Sequence, residues 1–98
     1  MMINTKKRQY LKALAHELSP VVRIGKGGVS EAVVKEAGVA LEAHELIKVR
    51  IDADGPPQRK ALAAELATAT AAELVNVIGK IAIVYRQRKE DPRIKLPS

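Results

Sequence analysis

The chain has 98 residues, enough for one domain, and its balance of 47% apolar to 29% charged residues is that of an ordinary globular fold. No apolar run approaches the ~18 residues of a membrane span, no apolar core follows the basic N-terminus as in a secretion signal, and a cytoplasmic location is expected. With no cysteine there is no disulfide framework, thiolate metal site or thiol nucleophile, while the net charge of +6 points toward acidic partners.

The first element reads as a helix. Asn4 or Thr5 can cap it, and Leu11, Leu14, Ala15 and Leu18 form an apolar stripe that carries it to about Leu18. Ser19-Pro20 ends it, and Val21, Val22 and Ile24 read as a short buried strand. A glycine loop, Gly25-Lys26-Gly27-Gly28, then leads into a second helix over about residues 31–44. Ser30 is its N-cap, and Val29 and Val34 occupy the two positions of a hydrophobic staple. Val34, Ala37 and Leu41 continue the buried face, and Glu31 and Lys35 form an i,i+4 pair. Gly38 is about 1 kcal/mol worse than alanine inside a helix and is read as permitting close packing.

Ile47, Val49 and Ile51 alternate with Lys48 and Arg50, the pattern of a half-exposed strand. Asp54-Gly55-Pro56-Pro57 is a loop that opens a third helix, because proline suits a first turn. This helix runs to about Thr70 with Leu62 and Leu66 inward, and its many alanines make the buried face shallow. Leu74 to Ile78 and Ile81 to Arg86 are β-branched runs joined by Gly79-Lys80, which reads as a tight hairpin.

The order α-β-α-β-α-β-β describes a single small α/β domain over residues 1–98, with a core of about 3–86 and a basic, extended tail of 87–98. Helices between strands suggest right-handed crossovers and parallel pairing, and the hairpin adds an antiparallel pair. The expected result is a mixed four-stranded sheet packed with helices. Ala15-His16-Glu17-Leu18 recurs as Ala43-His44-Glu45-Leu46, each time where a helix turns into a strand; with no third copy this is not a solenoid.

Charge is unevenly distributed. Residues 1–30 carry six bases and one acid, residues 31–78 five bases and eight acids, and residues 79–98 six bases and two acids. A fold that joins the two ends would collect one positive patch, the footprint of a polyanion partner. The glycine loop points the same way. A strand that passes through glycines into a capped helix leaves backbone N–H groups bare for an anion, and Lys26 adds charge at the tip. Neither a nucleotide P-loop nor a dinucleotide fingerprint is present; the motif is G-x-x-G, which in small α/β RNA modules clamps a nucleic-acid backbone. Lys6, Lys7 and Arg8 crowd the N-terminal turn of the first helix, where cations oppose the helix dipole unless a polyanion faces them. Arg86, Arg88 and Lys89 form a basic rim after the last strand, and Lys48 and Arg50 face either RNA or salt partners.

Enzymatic readings find no support. His16 and His44 have no ligand-spaced partner, Ser19 and Ser30 have no nucleophile context, and the acids do not converge. No metal, cofactor or small-molecule substrate is implied. Two tyrosines, Tyr10 and Tyr85, are the only aromatics, too few for a stacking platform, so recognition leans on phosphates and shape and favours folded RNA.

The stretches LKALAHELSPVVRIGKGGVSEAVVKE, ALEAHELIKVRI and NVIGKIAIVYR together resemble the CRM domain, named for chloroplast RNA splicing and ribosome maturation. More narrowly, the chain is similar to the stand-alone bacterial YhbY-type proteins, over about residues 3–97 including the IKLP close. The resemblance implies an RNA-binding domain with a core similar to the C-terminal domain of translation initiation factor three. It also implies association with ribosomal RNA in precursors of the large ribosomal subunit, and it maps the family's G-x-x-G loop onto Gly25, Lys26, Gly27 and Gly28. The expected contacts are these four residues together with Lys6, Lys7, Lys12, Arg8, Arg23, Lys35, Arg86 and Arg88. The expected protein is a non-enzymatic monomer acting in ribosome assembly, with no membrane association. The alternative is a protein-interaction module that binds ribosomal proteins or an assembly factor through its sheet.

Overall fold

A computed structural model describes residues 3–97. The elements follow the expected order: α1 (Thr5–Ala15), β1 (Pro20–Ile24), α2 (Glu31–His44), β2 (Leu46–Ile51), α3 (Pro56–Ala69), β3 (Glu73–Ile78) and β4 (Ile81–Tyr85). The sheet order is β1-β2-β4-β3, with β1 and β2 parallel and β4 antiparallel to both of its neighbours. Parallel pairing is therefore confined to β1–β2. The strand after α3 does not pair with β2, because β4 turns back at Gly79-Lys80 and fills the place between them. Gly79 adopts φ +57° in this two-residue turn, a conformation glycine reaches without a Cβ penalty.

Side chains that alternate along β2 and β4 supply two cores, one on each face of the sheet. Val22, Ile24, Ile47, Val49, Ile51, Ala82 and Val84 meet Ala37 and Leu41 of α2 and Ala63 and Leu66 of α3. On the other face Leu46, Val75, Ile83 and Tyr85 meet Leu11 and Ala15 of α1, together with Ile3 and the tail residues Ile94 and Leu96. The two basic termini thus come together, on the α1 face.

Local chemistry sets the helix ends. Asn4 caps α1 by accepting from the Lys7 N–H (2.8 Å), and Ser30 caps α2 by accepting from the Val33 N–H (3.2 Å). The staple pair Val29 and Val34 both pack against the α2–α3 core. Pro56 and Pro57 open α3 where the N–H groups have no helical acceptor, and Ala63 and Ala67 join Leu66 on its shallow buried face.

Three expectations need correction. α1 stops at Ala15, not Leu18. Its last turn tightens through the His16 N–H to the Ala13 carbonyl, Pro20 disfavours a helical Ser19, and Leu14 and Leu18 stay exposed. β1 is an edge strand with one buried face, so Val21 is exposed while Val22 and Ile24 are buried. Gly38 does not permit a close approach, since a Cβ there would meet nothing within 4 Å. Instead its carbonyl accepts from Arg86 Nη2 (3.1 Å). The repeated A-H-E-L tetrapeptide is not a repeated structure: Glu17 is exposed after a right-handed cap, whereas Glu45 is buried with φ +64°.

Candidate functional site

β1 and β2 run parallel and end together. At this edge lie the Gly25–Gly28 loop, the N-terminus of α2, the Asp52–Gly55 segment that leads into α3, and the Gly79-Lys80 turn, whose Lys80 carbonyl accepts from the Ile51 N–H (2.7 Å). The loop closes on itself through the Gly28 N–H to the Gly25 carbonyl (3.0 Å), and the Ser30 N–H donates to the Gly28 carbonyl (3.1 Å). Gly28 is left-handed at φ +69°; Gly25 and Gly27 are not. Gly25, Lys26 and Gly27 are exposed. Among the described residues, no protein acceptor meets the Lys26 and Gly27 N–H groups. The loop leads into the N-terminus of α2, whose first N–H groups and dipole carry partial positive charge.

The loop has a basic and an acidic flank. On the acidic side, Asp54 and Gln58 help line a groove of about 250 Å³ between the loop and the start of α3. There Arg59 Nη1 holds the Ala53 carbonyl (2.8 Å). On the basic side, Arg23 and Arg50 are neighbours in the parallel register, and both donate through Nε to Asp52. The Arg23 hydrogen bond is the foremost reason why the Asp52 carboxyl sits below its ordinary value, with Arg50 adding to it. Both contacts use Nε, and among the described residues no hydrogen bond engages the terminal nitrogens of either arginine. Lys48, two residues back on the same face of β2, donates to the Leu18 carbonyl (2.9 Å) with one of its three protons.

The other expected cations separate into two groups. Lys26 is exposed on the loop, Lys35 in the second turn of α2, and Lys12 beside Lys48 on the α1 face. Lys6 and Lys7 stand in the first turn of α1, which Arg8 anchors at the far end of the sheet. Its Nη1 donates to the Leu74 (2.9 Å) and Val75 (2.5 Å) carbonyls, where β3 slips register. Arg86 is likewise engaged internally: Nη1 donates to the Thr70 carbonyl (2.9 Å), and Nη2 to the Gly38 carbonyl and the Glu42 carboxylate. Arg88 holds the Glu42 (3.3 Å) and Asp91 (2.7 Å) carbonyls and has only 14% of its side chain exposed. These three guanidinium groups tie elements together, and none of them stands beside the glycine loop.

Glu45, Lys80 and Asp52 were not singled out in the sequence. Lys80 could have been, as the turn residue of a hairpin. Glu45 could not, because its role depends on a distant segment. Its carboxylate accepts from the backbone N–H groups of Arg88 (2.9 Å), Arg93 (2.8 Å) and Ile94 (2.9 Å) and clamps the tail across the α1-side core. Burial alone would raise its pKa, but these three donors and the charge of Arg88 outweigh it and hold the group below 4.5. Tyr85 is core, its hydroxyl pushed upward by burial and by the nearby Glu45 charge, and Tyr10 is partly exposed on α1. No group of three or more His, Asp or Glu side chains among the described residues could hold a metal ion.

A capped helix is entered here through an exposed glycine turn, with the cationic side chains of Arg23, Arg50 and Lys48 on one flank, an arrangement able to receive an anion. The family can be stated as well. Residues 3–86 match the model of the CRS1 / YhbY (CRM) domain, and the chain belongs to that family. It is 35% identical over 96 residues to YqeI of Bacillus subtilis, a protein named for RNA binding, covering 98% of this chain and 100% of the relative. A Haemophilus influenzae RNA-binding protein is 39% identical over 95 residues, covering 97% and 95% of the two chains. The solution structure of a Staphylococcus aureus protein, a candidate RNA-binding protein, superposes with a TM-score of 0.87 at 43% identity, covering 98% of this chain and all of that one.

Proposed function

We propose that this protein binds RNA, specifically ribosomal RNA in precursors of the large ribosomal subunit, and that it acts as a non-catalytic factor in ribosome assembly. Backbone amides of Lys26 and Gly27 take a phosphate, the dipole of α2 assists, and Lys26, Arg23, Arg50, Lys48, Lys12, Lys35 and Lys80 extend the positive field. The observation that carries this reading is the exposed, self-closed glycine turn whose two central N–H groups lack a protein acceptor among the described residues. The RNA-binding names of the relatives support it. The ribosomal part rests on the family resemblance.

Crosslinking in cells followed by sequencing of the bound RNA tests both parts. Enrichment of large-subunit precursor RNA is expected; recovery of proteins alone would return the fold to the protein-interaction reading. In vitro, log K should fall linearly with log salt, by about 0.7 for each phosphate engaged on unpaired RNA. An affinity indifferent to salt would exclude phosphate recognition.

A further inference from the structure

The sheet face that α1 covers only in part has a composition the phosphate loop does not explain. The strand registers place Arg23, Arg50, Ile81 and Ile78 side by side across β1, β2, β4 and β3, with Lys48 and Ile83 in the next row. The row is cationic on its β1–β2 half and aliphatic on its β4–β3 half. Ile78 is 58% exposed, so most of its apolar surface contributes nothing to the core. With Lys12 and His16 of α1, residues Lys48, Ile78, Ile81 and Ile83 line an open cleft of about 310 Å³. No acid lines this cleft.

We propose that the cleft takes the base of an unpaired nucleotide in the RNA whose backbone crosses the Gly25–Gly28 loop. The proposal deepens the RNA-binding reading and rests on it. An aliphatic floor can bury one face of a flat base without demanding a hydrogen bond from it, the service aromatic side chains perform in other RNA-binding folds. This chain has two tyrosines and neither lines the cleft. Lys12, Lys48 and His16 can meet acceptors on the base edge or the adjoining phosphate. Lys48 and Arg50 stand two residues apart on one face of β2, about 7 Å, the spacing of neighbouring phosphates. That line leads from the cleft through Arg50 and Arg23 to the loop, so the cations lie beside one strand of nucleic acid and the isoleucines beneath its base. A base held in a duplex keeps its faces stacked and cannot enter. An acidic peptide would be drawn by the same cations, but nothing about it requires continuity with the glycine loop.

The test compares Ile78→Ser with the wild type on two RNAs, a hairpin with an unpaired loop and a blunt duplex of the same stem. Because Ile78 is largely exposed, an unchanged unfolding midpoint is expected. Binding of the hairpin should weaken by roughly tenfold, duplex binding should not change, and the salt slope should stay the same because no charge is removed. A 4-thiouridine in the hairpin loop should crosslink to the segments holding Lys12–His16 or Ile78–Ile83. Wild-type affinity of the Ile78→Ser protein for the hairpin overturns the proposal. So does tight binding of a Glu- and Leu-rich peptide that this substitution abolishes while hairpin binding persists. In either case Gly27→Ala would still weaken both RNAs and the loop reading would survive; a wild-type protein that bound neither RNA would overturn the RNA-binding reading itself.

Discussion

Gly27 and Gly28 are adjacent, yet alanine at each should do different things. At Gly27 the backbone is not left-handed, and a Cβ would meet nothing within 4 Å. Gly27→Ala should leave stability within about 0.5 kcal/mol of wild type, with a small gain available from the stiffer unfolded chain. At Gly28 φ is +69°, and a Cβ would lie in ordinary contact, 4.0 Å from Leu62 Cδ2. Sterics with its neighbours are not the difficulty there; the left-handed backbone is, at a cost of about 1 kcal/mol. For RNA the order reverses. If a phosphate is held by the Lys26 and Gly27 amides, a methyl group on Gly27, added in open space at the loop, should hinder its approach. Loss of one such charge-assisted hydrogen bond is worth about 1.5–3 kcal/mol, or roughly ten- to a hundredfold in affinity. Gly28 already uses its N–H within the turn, so Gly28→Ala should weaken RNA binding by less than Gly27→Ala. Urea unfolding and fluorescence anisotropy with a labelled RNA at one fixed salt concentration measure the two effects. If Gly27→Ala binds like wild type, or if affinity simply tracks stability across the pair, the amides of this turn do not hold phosphate.

The sorting of the cations gives a second contrast. Arg86→Ala should cost about 2 kcal/mol of stability by removing hydrogen bonds to Thr70, Gly38 and Glu42, and should leave the salt slope of RNA binding unchanged. Lys26→Ala should leave stability within about 0.5 kcal/mol and reduce the slope by about one unit; equal slopes for the two variants would refute the assignment. Glu45→Ala should cost about 3 kcal/mol and speed hydrogen exchange at the Arg88, Arg93 and Ile94 amides, and exchange measured by NMR checks it. The same contact sets a pH dependence. A carboxylate held below its ordinary value of 4.5 stabilises the docked tail above that pH, and the contribution disappears as pH falls through the lowered value. Protection of those amides should thus be lost on acidification in the wild type and be insensitive to this range in Glu45→Ala.

Much of the fold was legible because the signals are local. The Ser30 cap, the paired prolines of α3 and the two-residue Gly79-Lys80 turn each act within a few residues, and each does in the structure what its spacing implies. The errors lie where a distant contact decides. Val21 and Val22 have the same chemistry, and only the pleat of an edge strand exposes one and buries the other. Gly38 looks like a packing glycine until Arg86, far along the chain, is found on its carbonyl. Two identical tetrapeptides part company because Glu45 of the second is buried and accepts three backbone N–H groups of the C-terminal tail, while Glu17 of the first is exposed.

The sequence by itself determined the element order, the place of the glycine turn before a capped helix, and the basic character of both ends, since backbone preference, capping and net charge are written in neighbouring residues. Tertiary structure alone decided that β4 lies between β2 and β3, and that Arg23, Arg50 and Lys48 flank the turn while Arg8, Arg86 and Arg88 hold carbonyls elsewhere. A guanidinium group carries the same charge wherever it stands. Whether it remains available to a partner depends on which acceptors the rest of the chain brings within reach.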